Sequence, residues 1–337
     1  MSLHLRRIAA IAGTVALMGL GGTGTGTAQA QQQVELISGP FGTGSYVLST
    51  ALEQIVNGED DGLSLTASET PGLTFNARSL IKDPGRQVNT IMSFTSGINY
   101  LAVEGLAPFP EALPSAKLIA NYNLGAVWLA TFDPDIKTLE DLKGKRVALG
   151  TPPQILWTIE PLAIIRDGWG MEGDLKIETI GTKEAAQALL NGTVDVAIIG
   201  GYANPETGQF LPSPQTVELQ ASGRTLYHIS WGPDAVAKAR DASGMPLISA
   251  KVPAGAVEGL ETELDTFYDA IGWQAYPDLD EETAYKVTKA IIANVGKFSE
   301  YHALGKLMSP SALLYGWDAE DIHPGALRAY REAGLIK

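Results

Sequence analysis

The sequence predicts an α/β protein of two lobes, and three observations carry that reading. Strand-like and helix-like segments alternate along most of the chain, and such βαβα order favours parallel strands with helices on both faces. A Pro-rich break, "APFPEALPSA" (Ala107–Ala116), separates one run of these units from a second. The length of 337 residues allows about two domains.

The elements follow in order. Val34–Ile37 is apolar enough for a strand, and Tyr46–Val56 has helical spacing. Between them lies "SGPFGTGSYVL" (Ser38–Leu48), a glycine-rich turn of the kind that holds anions on backbone N–H groups. Leu63–Ser68 alternates with the period of a strand, and Thr74–Lys82 reads as helix. Val88–Phe94 is apolar and β-branched, and a helix from about Gly97 to Glu104 follows. After the break come two uncharged β-like runs, Leu118–Tyr122 and Ala126–Phe132. A short helix (Leu139–Leu142), a strand (Arg146–Leu149), a loop and a further helix make the next unit. In "EAAQALLNGTVDVAIIGGY" a helix turns at Asn191-Gly192 into a buried strand, Val194–Ile199. "ETELDTFYD" (Glu261–Asp269) reads as a helix face with solvated carboxylates, and "IGWQAY" as strand and core. Asp280–Val295 is an amphipathic helix whose acidic first turn suits the helix dipole.

The first thirty residues read as an export signal rather than as fold. Arg6 and Arg7 precede an apolar run, Ile8–Leu20, and a Gly/Thr tract ends in Ala28-Gln29-Ala30. This is the pattern of a signal cut after Ala30, and the run is short for a membrane span. The mature chain is therefore expected in the periplasm. Its formal charge of −14, or −16 without Arg6 and Arg7, argues against nucleic acid and anionic membranes as partners. A cysteine count of zero excludes disulfides, zinc–thiolate sites, cysteine nucleophiles and a lipid-modified cysteine.

Catalytic and cofactor chemistry is hard to assemble. Ser38–Leu48 has no Lys-Ser/Thr after its glycines, so it cannot serve as a P-loop. As a dinucleotide turn it places Val47 where the third glycine belongs. His228, His302 and His323 lack metal-ligand spacing, and "DIHPGAL" reads as a helix cap. There is no Gly-x-Ser-x-Gly elbow. No enzyme, cofactor or metal is expected.

Four hydroxyl- and amide-rich turns follow strands: "FGTGSY" (Phe41–Tyr46), "ETPGLTFN" (Glu69–Asn76), "FTSG" (Phe94–Gly97) and "GTPPQILW" (Gly150–Trp157). Ligands of open α/β sheets bind at the carboxyl ends of the strands. Converging there, the four turns would surround an anion with neutral donors. Each taken singly also reads as an ordinary cap, through Ser45, Thr74 or Ser96.

From about Val34 to Lys337 the chain resembles the TAXI solute receptors, the extracytoplasmic binding proteins of one class of TRAP transporters. The carriers are "GTGSYVLSTALEQIV", "TPGLTFNARSL", "DLKGKRVALG", "EAAQALLNGTVDVAII", "DEETAYKVTKAI" and, most specific, "IHPGALRAYREAGLI". The resemblance implies a type II periplasmic-binding-protein-like fold, two α/β lobes joined by a hinge with a central ligand cleft. The first lobe would hold residues 34–125 and 250–337, the second 126–249. It also implies a monomer that captures a small organic acid and hands it to a TRAP membrane subunit driven by an ion gradient. Carried over, Gly42, Thr43, Ser45 and Tyr46 line the first wall, Thr70 and Asn76 the second turn, and Thr95 and Ser96 the third. Thr151, Gln154 and Trp157 face them from the second lobe, with Tyr202 near "GGYANP".

Two departures shape the expected ligand. Pro152-Pro153 replaces the family's Gly-Ser-Gly turn and removes two N–H donors. Gly97 stands where relatives carry an acidic or amide residue, so a ligand amino group would lose a partner. Trp157 offers an aromatic wall. The expectation is a carboxylate with an apolar or aromatic part and no amino group. The rivals are the same fold serving an ABC importer or sensor kinase, a periplasmic hydrolase acting through Ser or Asp/Glu, and a structural surface protein.

Overall fold

Apolar β-branched runs alternating with helical spacing lay down β1 (Gln32–Ile37), α1 (Gly44–Asn57), β2 (Leu63–Ser68), α2 (Leu73–Lys82), β3 (Thr90–Thr95) and α3 (Ser96–Val103). The computed structural model describes residues 31–59 and 61–337; the expected export signal lies outside them. β1 runs parallel to both neighbours, with Val34 beside Leu65 and Leu36 beside Ile91.

Past the Pro-rich segment come β4 (Lys117–Thr131), β5 (Arg146–Leu149), α4 (Ile159–Ala163), β6 (Lys176–Thr179), α5 (Thr182–Leu190) and β7 (Val196–Ala203). Then follow β8 (Phe210–Pro212), α6 (Pro214–Gln220), β9 (Tyr227–Ile229), α7 (Pro233–Ser243), β10 (Ile248–Val252) and β11 (Leu264–Ala275). The chain closes with α8 (Glu281–Ala293), α9 (Phe298–Tyr301) and α10 (Pro324–Glu332). The sheet order is β2-β1-β3-β11-β4-β7-β5-β6, with β10, β8 and β9 pairing onto β11, β7 and β4. The architecture is the expected one, two α/β lobes around a cleft. β4 and β11 are long antiparallel neighbours at the middle of the sheet.

Two segments differ from the sequence reading. The two runs expected after the break are one strand of 15 residues, β4, continuous through Asn123-Leu124-Gly125. Every residue after Lys117 in it is buried, so the polar and glycine positions that looked like an interruption are covered on both faces. "ETELDTFYD" is the entry to β11, not a helix. Its carboxylates at Glu261, Glu263 and Asp265 mimic a solvated helix face, while Thr266 to Ala270 are all buried.

One core lies under α1, α8 and α10. α1 buries Leu48, Leu52 and Ile55 at helical spacing, and α8 adds Ala284, Val287 and Ile291. They pack with Leu36, Leu65 and Trp273 of the sheet, each large apolar side chain contributing roughly 1.5–3 kcal/mol. The other core gathers Trp128, Val147, Ile164, Ala185, Ile198 and Val236. Asp280 caps α8, accepting from Thr283 N at 2.8 Å. His323 caps α10, its Nδ1 accepting from Gly325 N at 3.3 Å, as the reading of "DIHPGAL" has it. Among the described residues, no helix is long and apolar enough to cross a membrane, and no cluster of three or more side chains could hold a metal ion.

Candidate functional site

A cavity of about 450 Å³ opens between the turn before α1, the start of α2, the β3–α3 junction, the Pro153–Trp157 loop and β11. β1 delivers the chain to it at Ser38. The Ser38 carbonyl accepts from Thr70 Oγ1 at 2.9 Å and from Asn76 Nδ2 at 2.6 Å. Asn76 also donates to Ser93 O at 3.0 Å. Thr70 and Asn76 therefore hold the first and second turns together from inside and do not line the cavity.

Gly42 has φ of +79°, a backbone state that suits glycine, and it lets the turn swing into α1. Thr43 caps that helix. Its Oγ1 accepts from Tyr46 N at 3.3 Å and donates to Pro40 O at 2.7 Å, and its carbonyl accepts from Val47 N at 3.0 Å. Helix geometry leaves the N–H groups of Gly44 and Ser45 without an intrahelical acceptor. Tyr46 turns outward against Phe41, ring centroids 5.1 Å apart. Ser45 Oγ lies 2.7 Å from Tyr122 Oη. The strand register slips at this point: Ile271 faces Asn123 and Gly272 faces Asn121. Tyr122 is thus the extra residue of a β-bulge, a device that re-aims a side chain.

The third turn is already occupied. Thr95 Oγ1 caps α3 by accepting from Ile98 N at 3.1 Å. Ser96 Oγ and Gly97 N both donate to Asp269 Oδ1, at 2.7 and 3.0 Å. The start of α3, which could have cradled an anionic ligand, instead holds a carboxyl group of the protein.

The Gly150–Trp157 loop also turns its donors inward. Thr151 N donates to Gln154 Oε1 at 3.0 Å, Gln154 N to Thr151 O at 2.8 Å and Trp157 N to Gln154 O at 2.8 Å. With Pro152 and Pro153 lacking N–H, this face is chiefly apolar, formed by Ile155, Leu156 and Trp157. Tyr202 completes it.

Asp269 and Glu160 are the residues that sequence reasoning missed. Asp269 lines the cavity at 1% exposure, and its Oδ2 has no hydrogen-bond partner among the described residues. Glu160, on α4, is at 0% exposure with both carboxyl oxygens unpartnered. A Cβ on Gly97 would collide with Glu160 Oε1, so the glycine makes room for this side chain. Acidic side chains from two other elements, β11 and α4, stand beside Gly97. Burial pushes the Glu160 carboxyl well above its ordinary range, and the neighbouring Asp269 adds to the effect. Burial also raises Asp269, against the hydrogen bonds from Ser96 and Gly97 and the nearby Thr95 hydroxyl. Among the described residues, no Lys, Arg or His lines the cavity. The missed signal was Asp269 itself, a lone acid between aromatic and β-branched neighbours in "TFYDAIGW".

Of the residues expected at the site, Thr43, Ser45, Thr95, Gln154, Trp157 and Tyr202 come together on the cavity wall. Gly42, Tyr46, Thr70, Asn76, Ser96 and Thr151 stand behind or beside it, shaping its turns.

The sequence profile of the NMT1-like family matches residues 36–334. Among solved structures, a TctC solute-binding protein from Polaromonas is similar at 16% identity and a TM-score of 0.48, over 83% of this chain and 88% of that one. The periplasmic sulfonate-binding protein SsuA from Methylobacillus flagellatus gives 14% and 0.47, over 89% and 77%. MatC from Rhodopseudomonas palustris with bound malate gives 14% and 0.45, over 83% and 93%.

Proposed function

The chain belongs to the NMT1-like family, and from that premise we propose that it is a periplasmic solute-binding protein, not an enzyme, that delivers a small ligand to a membrane transporter. The observation that carries this reading is the 450 Å³ cavity lined by Thr43, Ser45 and Thr95 on one side and by Ile155, Leu156 and Trp157 on another, hydroxyls against an apolar face. A ligand touching both walls favours the closed arrangement by its contacts in that state. The lobes on this reading are residues 34–125 with 250–337, and 126–249, with β4 and β11 as the hinge.

The finer reading is a TAXI receptor for a TRAP-type transporter whose ligand is an organic acid. Its carboxylate would meet the open end of α1 and Ser45, and its apolar or aromatic part Ile155, Leu156 and Trp157. Gln154 and Tyr202 would orient it. The test is a thermal-shift panel of aliphatic, aromatic, oxo and amino acids against the chain from Gln31. At about 100 times the dissociation constant a binder stabilises by about 2.7 kcal/mol. Binding without turnover, weakened by Trp157→Ala for aromatic members, supports the receptor. Conversion of a hit to product would instead identify an enzyme. A TRAP membrane-subunit gene beside its own, rather than an ATPase gene, would separate the TRAP reading from an ABC importer.

A further inference from the structure

We infer that the groove between α2 and the Pro-rich segment is a second binding site, separate from the cleft, for a small monoanion with an apolar body. The inference does not depend on the receptor reading above. The groove has a volume of about 460 Å³, within the range of small-molecule sites. Arg78, Ile81 and Lys82 of α2 form one wall, and Pro108, Phe109 and Leu113 the other. In the sequence this Pro-rich segment marks only a break between units; in the fold it is a fixed wall. Leu106 N donates to Leu101 O at 2.9 Å, Phe109 N to Leu106 O at 2.9 Å and Leu113 N to Ala102 O at 2.8 Å. Phe109 and Leu113 are buried in the larger core, so the floor of the groove is formed before any ligand arrives. α2 begins at the cleft, where Leu73, Thr74 and Phe75 line the cavity. Arg78 and Lys82 follow one and two turns later, about 6 and 12 Å along the helix from Thr74.

The charge of the groove identifies the head of the ligand. Among the described residues, Arg78 and Lys82 take part in none of the salt bridges. Four residues apart, they share one face of the helix, where like charges repel. Lys82 lies in the last turn of α2 and suits the negative end of the helix dipole; Arg78, a turn earlier, has no such reason. The chain holds 38 acidic residues against 24 basic ones, so two cations without a carboxylate partner over apolar surface stand out from the rest of the molecule. Arg78 lies over the Phe109 ring, 5.6 Å from its centroid, which sets the guanidinium at the groove. A guanidinium takes a carboxylate or sulfonate through paired N–H donors, and the Lys82 ammonium adds a second charge. Glu111 also lines the groove, so one negative charge answers the two cations and the acid together, and a polyanion would be repelled. Ile81, Pro108, Phe109 and Leu113 present apolar surface for the body. The strong net negative charge of the chain opposes an anionic membrane as the source, so the occupant is a free molecule, with the chemistry of a medium-chain carboxylate.

The experiment is methyl NMR of the chain from Gln31, labelled at Ile and Leu, titrated with octanoate, octan-1-ol and octylammonium. Octanoate should shift the Ile81 and Leu113 methyl signals to saturation. The alcohol and the ammonium should bind there about tenfold more weakly or worse, since each lacks the charged pairing. Arg78→Gln combined with Lys82→Gln should weaken octanoate at Ile81 and Leu113 by about tenfold or more, while any response of Ile155 and Leu156 in the cleft stays as it was. If Ile81 and Leu113 do not respond, or respond equally to the alcohol, the inference falls. A response confined to Ile155 and Leu156 overturns it too and leaves the receptor reading standing. Phosphatidylglycerol vesicles should not carry the chain down on sedimentation; co-sedimentation abolished by the double substitution would make the groove a membrane contact and overturn the free ligand. Both substituted side chains are exposed, and the wild-type comparison of the three probes decides the matter even if the variant fails to fold.

Discussion

Ser45 and Tyr122 are joined by a hydrogen bond of 2.7 Å between a helix start in one strand–turn–helix unit and a bulge in the central strand β4. The bond ties the glycine turn to a strand buried at every residue after Lys117. Burial pushes the Tyr122 hydroxyl up to about 12, so it stays a neutral donor or acceptor across the physiological range. Tyr122→Phe should therefore cost about 1 kcal/mol, the net worth of one buried hydrogen bond. Urea denaturation reads this as a lower midpoint with unchanged slope. An unchanged midpoint would mean that the pair contributes nothing.

Gly97 is on a helix, where alanine would ordinarily stabilise by about 1 kcal/mol. Here the added methyl would run into Glu160 Oε1 and stand 3.4 Å from Ile155 Cγ2. Gly97→Ala should instead destabilise by roughly 1–3 kcal/mol, the range of an overpacked core. In a Glu160→Ala background the same change should cost little. Equal penalties in both backgrounds would show that Glu160 is not the obstacle.

Glu160→Gln should raise stability at neutral pH. The folded-state carboxyl is raised by burial and then by Asp269, above the unfolded value of about 4.3. Between those two values the native state holds a proton that the unfolded state lacks, so stability falls as pH rises through that window. The penalty is complete above the folded value and absent below about pH 4. Thermal midpoints measured from pH 4 to 8 should diverge between wild type and variant as pH rises, with the variant higher. Parallel curves would contradict a raised Glu160.

Asn76 Nδ2 donates to Ser38 O at 2.6 Å, Ser93 O at 3.0 Å and Ile37 O at 3.3 Å. Asn76→Ala leaves buried carbonyls short of donors and should cost about 2–4 kcal/mol. Asn76→Asp should be worse, since it turns a carboxylate toward the same carbonyls. Chemical denaturation checks the order; an aspartate variant more stable than the alanine one would refute the donor role.

Much of the fold was legible because its parts repeat a short code. β2 and β5 fall on the expected residues, Leu63–Ser68 and Arg146–Leu149, and α1, α2, α5 and α8 lie within about two residues of their expected starts. Period and capping decide such elements locally. The two central strands were not legible in the same way. β4 looked broken at Asn123-Leu124-Gly125, and the entry to β11 looked helical, because a strand buried on both faces carries no alternation to read. The site divided along the same line. Ser45, Thr95, Gln154 and Trp157 sit in turns that announce themselves by composition, and the structure puts them on the cavity wall. Asp269 sits inside β11, where an acid has meaning only through what surrounds it. Ser96 read as a donor toward the ligand; its oxygen donates to Asp269 instead, a partner 173 residues away in sequence.

The long central pair also sets the order in which the molecule can assemble on the ribosome. β3 and β4 are complete by Thr131, but the strand that lies between them begins at Leu264. Until it arrives, each presents an open edge, the kind of surface that pairs with the wrong chain. Contacts so distant in sequence slow folding, and the N-terminal units cannot close their sheet before nearly the whole chain has emerged. Closure of the central sheet is thus deferred until β11 has been made, whichever units have formed before it.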